Sequence, residues 1–246
     1  MINLDSLLSL LDVPKENAAL FSLRQSNRAK RLIFKSSVRR GFEIVLPRVY
    51  NELWVRETVS KNKRAIEKRI SEIKDARTGL RPTSVTLPVL ERSWMVNYLD
   101  IYEKDSENLS ETSTTLTVRE NSEDVFSVAT ILQEWLHKKA LDYLPEHLYG
   151  ASIKINLPYN KVNIKRQRTL WGSCSVRRNI NLNRNLLLMP YEVVDYVIYH
   201  ELVHLKVLSH SSRFWEELLA IFPEYENSRK QLKHFEKFKI PEWALV

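Results

Sequence analysis

The chain has 246 residues, enough to bury a core without disulfides or oligomer formation, and its 43% hydrophobic and 28% charged residues exclude disordered and fibrous classes. No apolar run approaches the roughly 18 residues of a membrane span, and the N-terminus carries Asp5 without the basic flank or cleavage site of a secretory signal. With Cys174 as the single cysteine, disulfide scaffolds and Cys-rich zinc ribbons are excluded, and a cytoplasmic location with no membrane partner is expected.

Taken in chain order, Leu32–Phe34 and Phe42–Leu46 read as the two strands of a hairpin around Gly41. From about Asn51 to Ala76, Val55, Val59, Ile66, Ile70 and Ile73 recur at helical spacing, which predicts one long surface helix stopping near Gly79 and Pro82. Strand patterns follow at Val85 with Leu87, at Trp94–Tyr98 and at Thr114–Val118, with an exposed loop over Asp105–Ser113. Asp124 is placed to cap a helix carrying Val128, Leu132, Trp135 and Leu136 to about Tyr143, ending before Pro145. Ile153, Ile155 and Leu157 then alternate like a strand, as do Ile180 and Leu182. Pro190 opens a helix to roughly Leu208, and two more cover Ser212–Ile221 and Glu224–Phe238. The expected fold class is α+β, with a strand-rich N-terminal region over 1–145 and a C-terminal region over 146–246, either as two closely joined domains or as one continuous domain.

The informative segment is His200-Glu201-Leu202-Val203-His204. Residues four apart on a helix share one face, so the two imidazoles can converge on one cation while the glutamate beside the first reaches the water that the cation activates. Random placement of this chain's His and Glu produces such a motif on the order of one time in a hundred, so context decides. The flanking Val197, Ile198, Leu202 and Leu205 imply a buried helix, where unpaired His and Glu side chains are costly. Hydrolytic zinc takes three protein ligands and keeps one open position. His210, six residues after His204, is the candidate third ligand favoured by spacing; Glu216, Glu217, Glu224 and Glu226 are the carboxylate alternatives. This reading makes Glu201 the general base of a zinc-dependent hydrolase. His137, His147 and His234 lack ligand-type company, and Cys174, Phe214 and Trp215 read as core.

Trp171–Ser175, Asn179–Asn183, Pro190, Asp195-Tyr196-Val197, the His200–His204 helix, His210-Ser211 with Phe214-Trp215, and Pro223-Glu224-Tyr225 together resemble the YgjP-like metallopeptidases, related to the WLM and SprT-like zincins. The resemblance is specific over the last hundred residues and looser before them. It implies a zincin-like catalytic domain with zinc held by His200, His204 and His210, with Glu201 as catalytic base and a peptide or protein as substrate. Two positions depart from the family pattern: Leu170 stands where a basic residue is usual, and Arg178 where the turn before Asn179 usually has glycine.

Two other functions remain open on the sequence. A zinc site in a basic chain can hydrolyse a nucleotide or another phosphoanhydride, and a nucleic-acid-associated protein can use zinc structurally, although that role has no use for Glu201. The formal charge is +8, and Arg24, Arg28, Lys30, Arg31, Lys35, Arg39 and Arg40 follow one another with no acidic residue among them. They form either a solvated basic face or a surface for nucleic acid.

Overall fold

The computed structural model describes residues 2–100, 108–120, 125–167, 170–238 and 240–245. Contacts divide the chain into two units, Met1–Leu80 and Arg81–Leu245. The first unit ends at Leu80, and residue 145 lies inside a helix of the second. Among the described residues no helix is long and apolar enough to cross a membrane.

The first unit runs α1 (Leu4–Leu10), β1 (Phe21–Ser26), β2 (Ile33–Ser37), β3 (Gly41–Pro47), α2 (Glu52–Lys61) and α3 (Lys63–Thr78). β3 lies at the centre of a three-stranded sheet, antiparallel to β2 and parallel to β1. The expected hairpin is present; β1, with its polar Arg24, Gln25 and Ser26, carries too little apolar signal to be read from sequence. Gly41 makes the hairpin turn at φ +75°, and a Cβ there would meet the Leu20 carbonyl oxygen at 2.1 Å, so the position admits only glycine. The expected single helix is two. The Asn62 amide donates to the Thr58 carbonyl at 2.8 Å, and this side-chain competition for a helical acceptor accompanies the break. Val55, Val59, Ile66, Ile70 and Ile73 bury their stripe against Leu7, Phe42 and Ile44, each side chain contributing about 1.5–3 kcal/mol of transfer free energy.

The second unit begins with β4 (Ser84–Leu87), β5 (Arg92–Asp100), β6 (Leu109–Glu111) and β7 (Thr115–Glu120), a sheet ordered β4-β5-β7-β6. The first three residues of the anticipated loop and the anticipated cap Asp124 lie outside the described residues, and within the rest of that segment Leu109–Glu111 form β6, a strand because β7 offers it an edge to pair with. α4 (Val125–Lys154) follows and is fastened to this sheet by the edge-to-face pair Trp94–Trp135, 5.2 Å between centroids, and by Trp135 Nε1 donating to Glu111 Oε2 at 2.8 Å. Pro145 does not end α4: the carbonyl four residues back belongs to Leu141, a half-exposed position where water can replace the lost hydrogen bond. The strand expected over Ile153–Leu157 is instead the end of this helix. Asn156 takes φ +54°, with Leu157 N bonded to Ser152 O at 3.0 Å, a left-handed helix stop.

A second three-stranded sheet, ordered β8-β10-β9, comprises β8 (Lys161–Lys165), β9 (Gly172–Cys174) and β10 (Asn179–Asn183). β9 is its edge and pairs antiparallel with β10. Arg178, in the turn between them, adopts φ +61°, the left-handed conformation that glycine fills at least cost. Its guanidinium donates to the Pro158 carbonyl. α5 (Tyr191–Val203), α6 (Ser212–Ile221), α7 (Tyr225–Phe238) and α8 (Glu242–Leu245) complete the unit. α5 ends five residues earlier than expected, with His204 as its C-cap.

Candidate metal centre

α5 is apolar on nearly every side: Val193, Val194, Val197, Ile198, Leu202 and Val203 are all buried. It is therefore a core helix whose last turn delivers His200 and Glu201 into the interior. His147 of α4 ties α5 in place through Nε2 to Asp195 Oδ1 at 2.5 Å, so a histidine without metal-ligand company in sequence here joins two helices. After Val203 the chain turns through His204, Leu205 and Lys206 and returns to His210, just ahead of α6.

His200, His204 and His210 present ligand atoms that all lie within 4.8 Å of one another. Nε2 of His200 is 3.2 Å from Nε2 of His204 and 2.9 Å from Nε2 of His210. Zn–N bonds of about 2.0–2.1 Å in tetrahedral array place neighbouring nitrogens roughly 3.3 Å apart, so the three imidazoles fit one such ion. The Val207 carbonyl, 3.0 Å from His204 Nδ1, can only accept; Nδ1 therefore carries the proton and Nε2 keeps its lone pair for the centre. Burial, with His204, His210 and Arg229 adding to it, pushes the His200 imidazole down to about 3, and burial also lowers His204. Both are thus neutral, the form that binds a metal. Glu201 Oε2 is buried without a hydrogen-bond partner, an uncompensated acceptor beside the cluster that points to a group outside the chain; His200 Nδ1, on the side of the ring away from the cluster, is also unpartnered.

Glu201 is 4% exposed, and burial pushes its carboxyl up to about 8. β9 passes directly beside it: a Cβ on Gly172 would lie 2.5 Å from Glu201 Oε1, 2.7 Å from Cγ and 2.8 Å from Cδ. Gly172, Trp171, Tyr196, His200 and Glu201 line one cleft of about 210 Å³. Cys174 is half-buried, not fully packed away, and burial together with the neighbouring Glu201 raises its thiol to about 11, so it is a poor nucleophile.

Phe214 is buried, as expected of core, but its ring lies 4.5–4.9 Å from all three imidazoles. Trp215 stacks on His210 at 5.7 Å and carries the Arg229 guanidinium 4.6 Å above its own ring. None of the carboxylate alternatives belongs to the cluster among the described residues; Glu217 pairs with Lys206 at 2.8 Å. The roles of Gly172, Phe214, Trp215 and Arg229 depend on contacts between elements and leave no periodic trace in the sequence.

The basic run lies in the first unit, away from this cluster in the chain. Arg24 forms a two-bond ion pair with Glu43 of β3 at 2.9 and 3.3 Å, while Arg28, Lys30, Arg31, Lys35, Arg39 and Arg40 are exposed.

Three comparisons bear on the chain. The model of the YgjP-like, metallopeptidase domain family matches residues 30–235. Among curated proteins none matches. Among solved structures, the metallopeptidase zymogen of Pyrococcus abyssi abylysin is similar, at 25% identity and a TM-score of 0.34, over 39% of this chain and 96% of that one.

Proposed function

The chain belongs to the YgjP-like metallopeptidase family, and from that premise we propose that it is a zinc-dependent peptidase of zincin type with His200, His204 and His210 as ligands and Glu201 as general base. The observation that carries the reading is the convergence of three imidazole nitrogens beside a buried carboxylate with an unpartnered oxygen. When bound, a zinc ion supplies Lewis acidity, which polarises a carbonyl and makes water acidic near neutral pH.

The chain's own residues supply the rest. Glu201 takes a proton from the attacking water and hands it to the departing amine. The low-dielectric wall around it keeps its proton affinity near working pH, which suits a group that must both accept and donate. β9 is an edge strand bordering Glu201 through Gly172, so an extended peptide can pair with its backbone and bring a scissile bond alongside the carboxylate.

A second reading, hydrolysis of a nucleotide phosphoanhydride, is favoured by one feature. Arg229 is seated over Trp215 with its charge felt at His200, an arrangement able to take a phosphate. The test is turnover of a fluorogenic peptide library and of a nucleoside triphosphate panel by wild-type protein and Glu201→Gln. Peptide cleavage that Glu201→Gln abolishes while keeping its metal is expected. Turnover confined to the triphosphates would replace peptidase with the second reading.

A further inference from the structure

The charge of this protein is divided unequally. Residues 1–80 hold 17 Lys and Arg against 9 Asp and Glu, while residues 81–246 hold 21 of each, so the whole excess of +8 belongs to the first unit. An excess confined to one unit is not needed for the solubility of the other, and it creates a local positive potential over a small body.

That unit also has a cleft of about 360 Å³ between the start of β2 and the first half of α3. Arg31 and Arg69 line it from its two sides, Phe34, Ile66 and Asn62 are among the other lining residues, and no acidic side chain is. Helical geometry explains the α3 contribution: Asn62, Ile66 and Arg69 recur at intervals of four and three, one face of the helix. Phe34 is half-buried and stacks on buried Phe42, with centroids 5.8 Å apart and planes at 28°, which fixes the ring against the core while the rest of its surface lines the cleft. Both arginines are exposed, as are Arg28 and Lys30 just before the strand. β2 is the outermost strand of its sheet.

Two guanidinium forks flanking a fixed aromatic face are complementary to a chain that alternates phosphates with flat bases. Guanidinium binds phosphate oxygens in pairs, and the ring offers a stacking platform that any unpaired base can use. A duplex keeps its base faces stacked on one another and cannot use the platform, and an acidic peptide offers no planar ring to it. We propose that the cleft lined by Arg31, Phe34 and Arg69 binds single-stranded nucleic acid without strong sequence preference, independently of the metal centre of the second unit.

The experiment is fluorescence anisotropy of the full chain with a labelled 20-nucleotide oligothymidylate from 50 to 300 mM salt. Double-stranded DNA of the same length and poly-glutamate serve as competitors. Affinity should fall steeply with salt. Arg31→Gln/Arg69→Gln should reduce the slope of log affinity against log salt by about 1.4, from about 0.7 per phosphate contact on a single strand. Phe34→Leu, which keeps the apolar contact with Phe42, should weaken binding about fivefold or more with the slope unchanged. Circular dichroism and zinc content, expected to match wild type, show that neither variant acts by unfolding. Absence of binding at 50 mM salt overturns the proposal. So do equal competition by duplex or poly-glutamate, and wild-type binding by folded Arg31→Gln/Arg69→Gln.

Discussion

Replacing Gly172 by alanine probes the candidate site without touching any group that performs chemistry. The added methyl would begin 2.5–2.8 Å from three atoms of the Glu201 side chain, against ordinary carbon contacts of about 3.5–4.0 Å. One partner must therefore retreat by roughly 1 Å. Glu201 is 4% exposed, so its room to retreat is the narrow cleft that it lines with Tyr196 and His200. Overpacking of this kind costs about 1–3 kcal/mol of stability, and a displacement near 1 Å at a catalytic group can lower turnover on the order of 100-fold. The three atoms nearest the added methyl all belong to Glu201 and none to an imidazole. Gly172→Ala is expected to retain its full metal complement, to melt lower, and to lose about two orders of magnitude in kcat on the best-cleaved fluorogenic peptide with KM changed much less. A folded Gly172→Ala protein with wild-type kcat would refute the assignment of Glu201, because the carboxylate would have moved without consequence.

Stability of the metal-free protein should depend on pH in a way set by the buried site. The depressed imidazoles of His200 and His204 add stability that is present above their ordinary value near 6.5 and is lost on acidification, through about 3 for His200. Glu201 acts in the opposite sense: raised to about 8, it loses stability as pH climbs from its ordinary value of 4.5 through 8. Only above about 7.5 are the unfolded-state imidazoles almost wholly neutral, so from there to 8 the glutamate dominates and denaturant midpoints should fall with pH in wild type relative to Glu201→Gln; equal slopes in the two would contradict the burial argument. At Arg178, where φ is +61°, Arg178→Gly should be more stable than Arg178→Ala by about 1 kcal/mol, the reverse of the ordinary cost of glycine, as read by urea unfolding; an alanine variant at least as stable would deny the left-handed turn.

How much of this was legible in the sequence follows from which interactions are local. His200, Glu201 and His204 stand out because one helical turn fixes their relation, and the strands β3, β4, β5, β7 and β10 announce themselves through alternation. His210 could be proposed from spacing, yet the path to it could not. Periodicity carries the helix to about Leu208, and it stops at Val203, where His204 Nδ1 donates to the Val207 carbonyl and the chain turns early. The passage of α4 through Pro145 is not legible, because sequence alone does not say that Leu141, four residues back, lies at an exposed position. β1 and β8, with lysine, arginine and asparagine among their few apolar residues, are strands because β3 and β10 offer them edges. Gly172 and Arg229 matter only through neighbours distant in the chain.

We propose that one zinc ion is held by His200, His204 and His210. The most direct test is metal content per chain, by inductively coupled plasma mass spectrometry, in wild type, His200→Ala, His204→Ala, His210→Ala and Glu224→Ala. The account predicts one zinc in wild type and in Glu224→Ala, none in the first two histidine variants, and strongly weakened retention in His210→Ala. Metal-free wild-type protein that takes up no zinc, or His210→Ala at full occupancy while Glu224→Ala is empty, would contradict it.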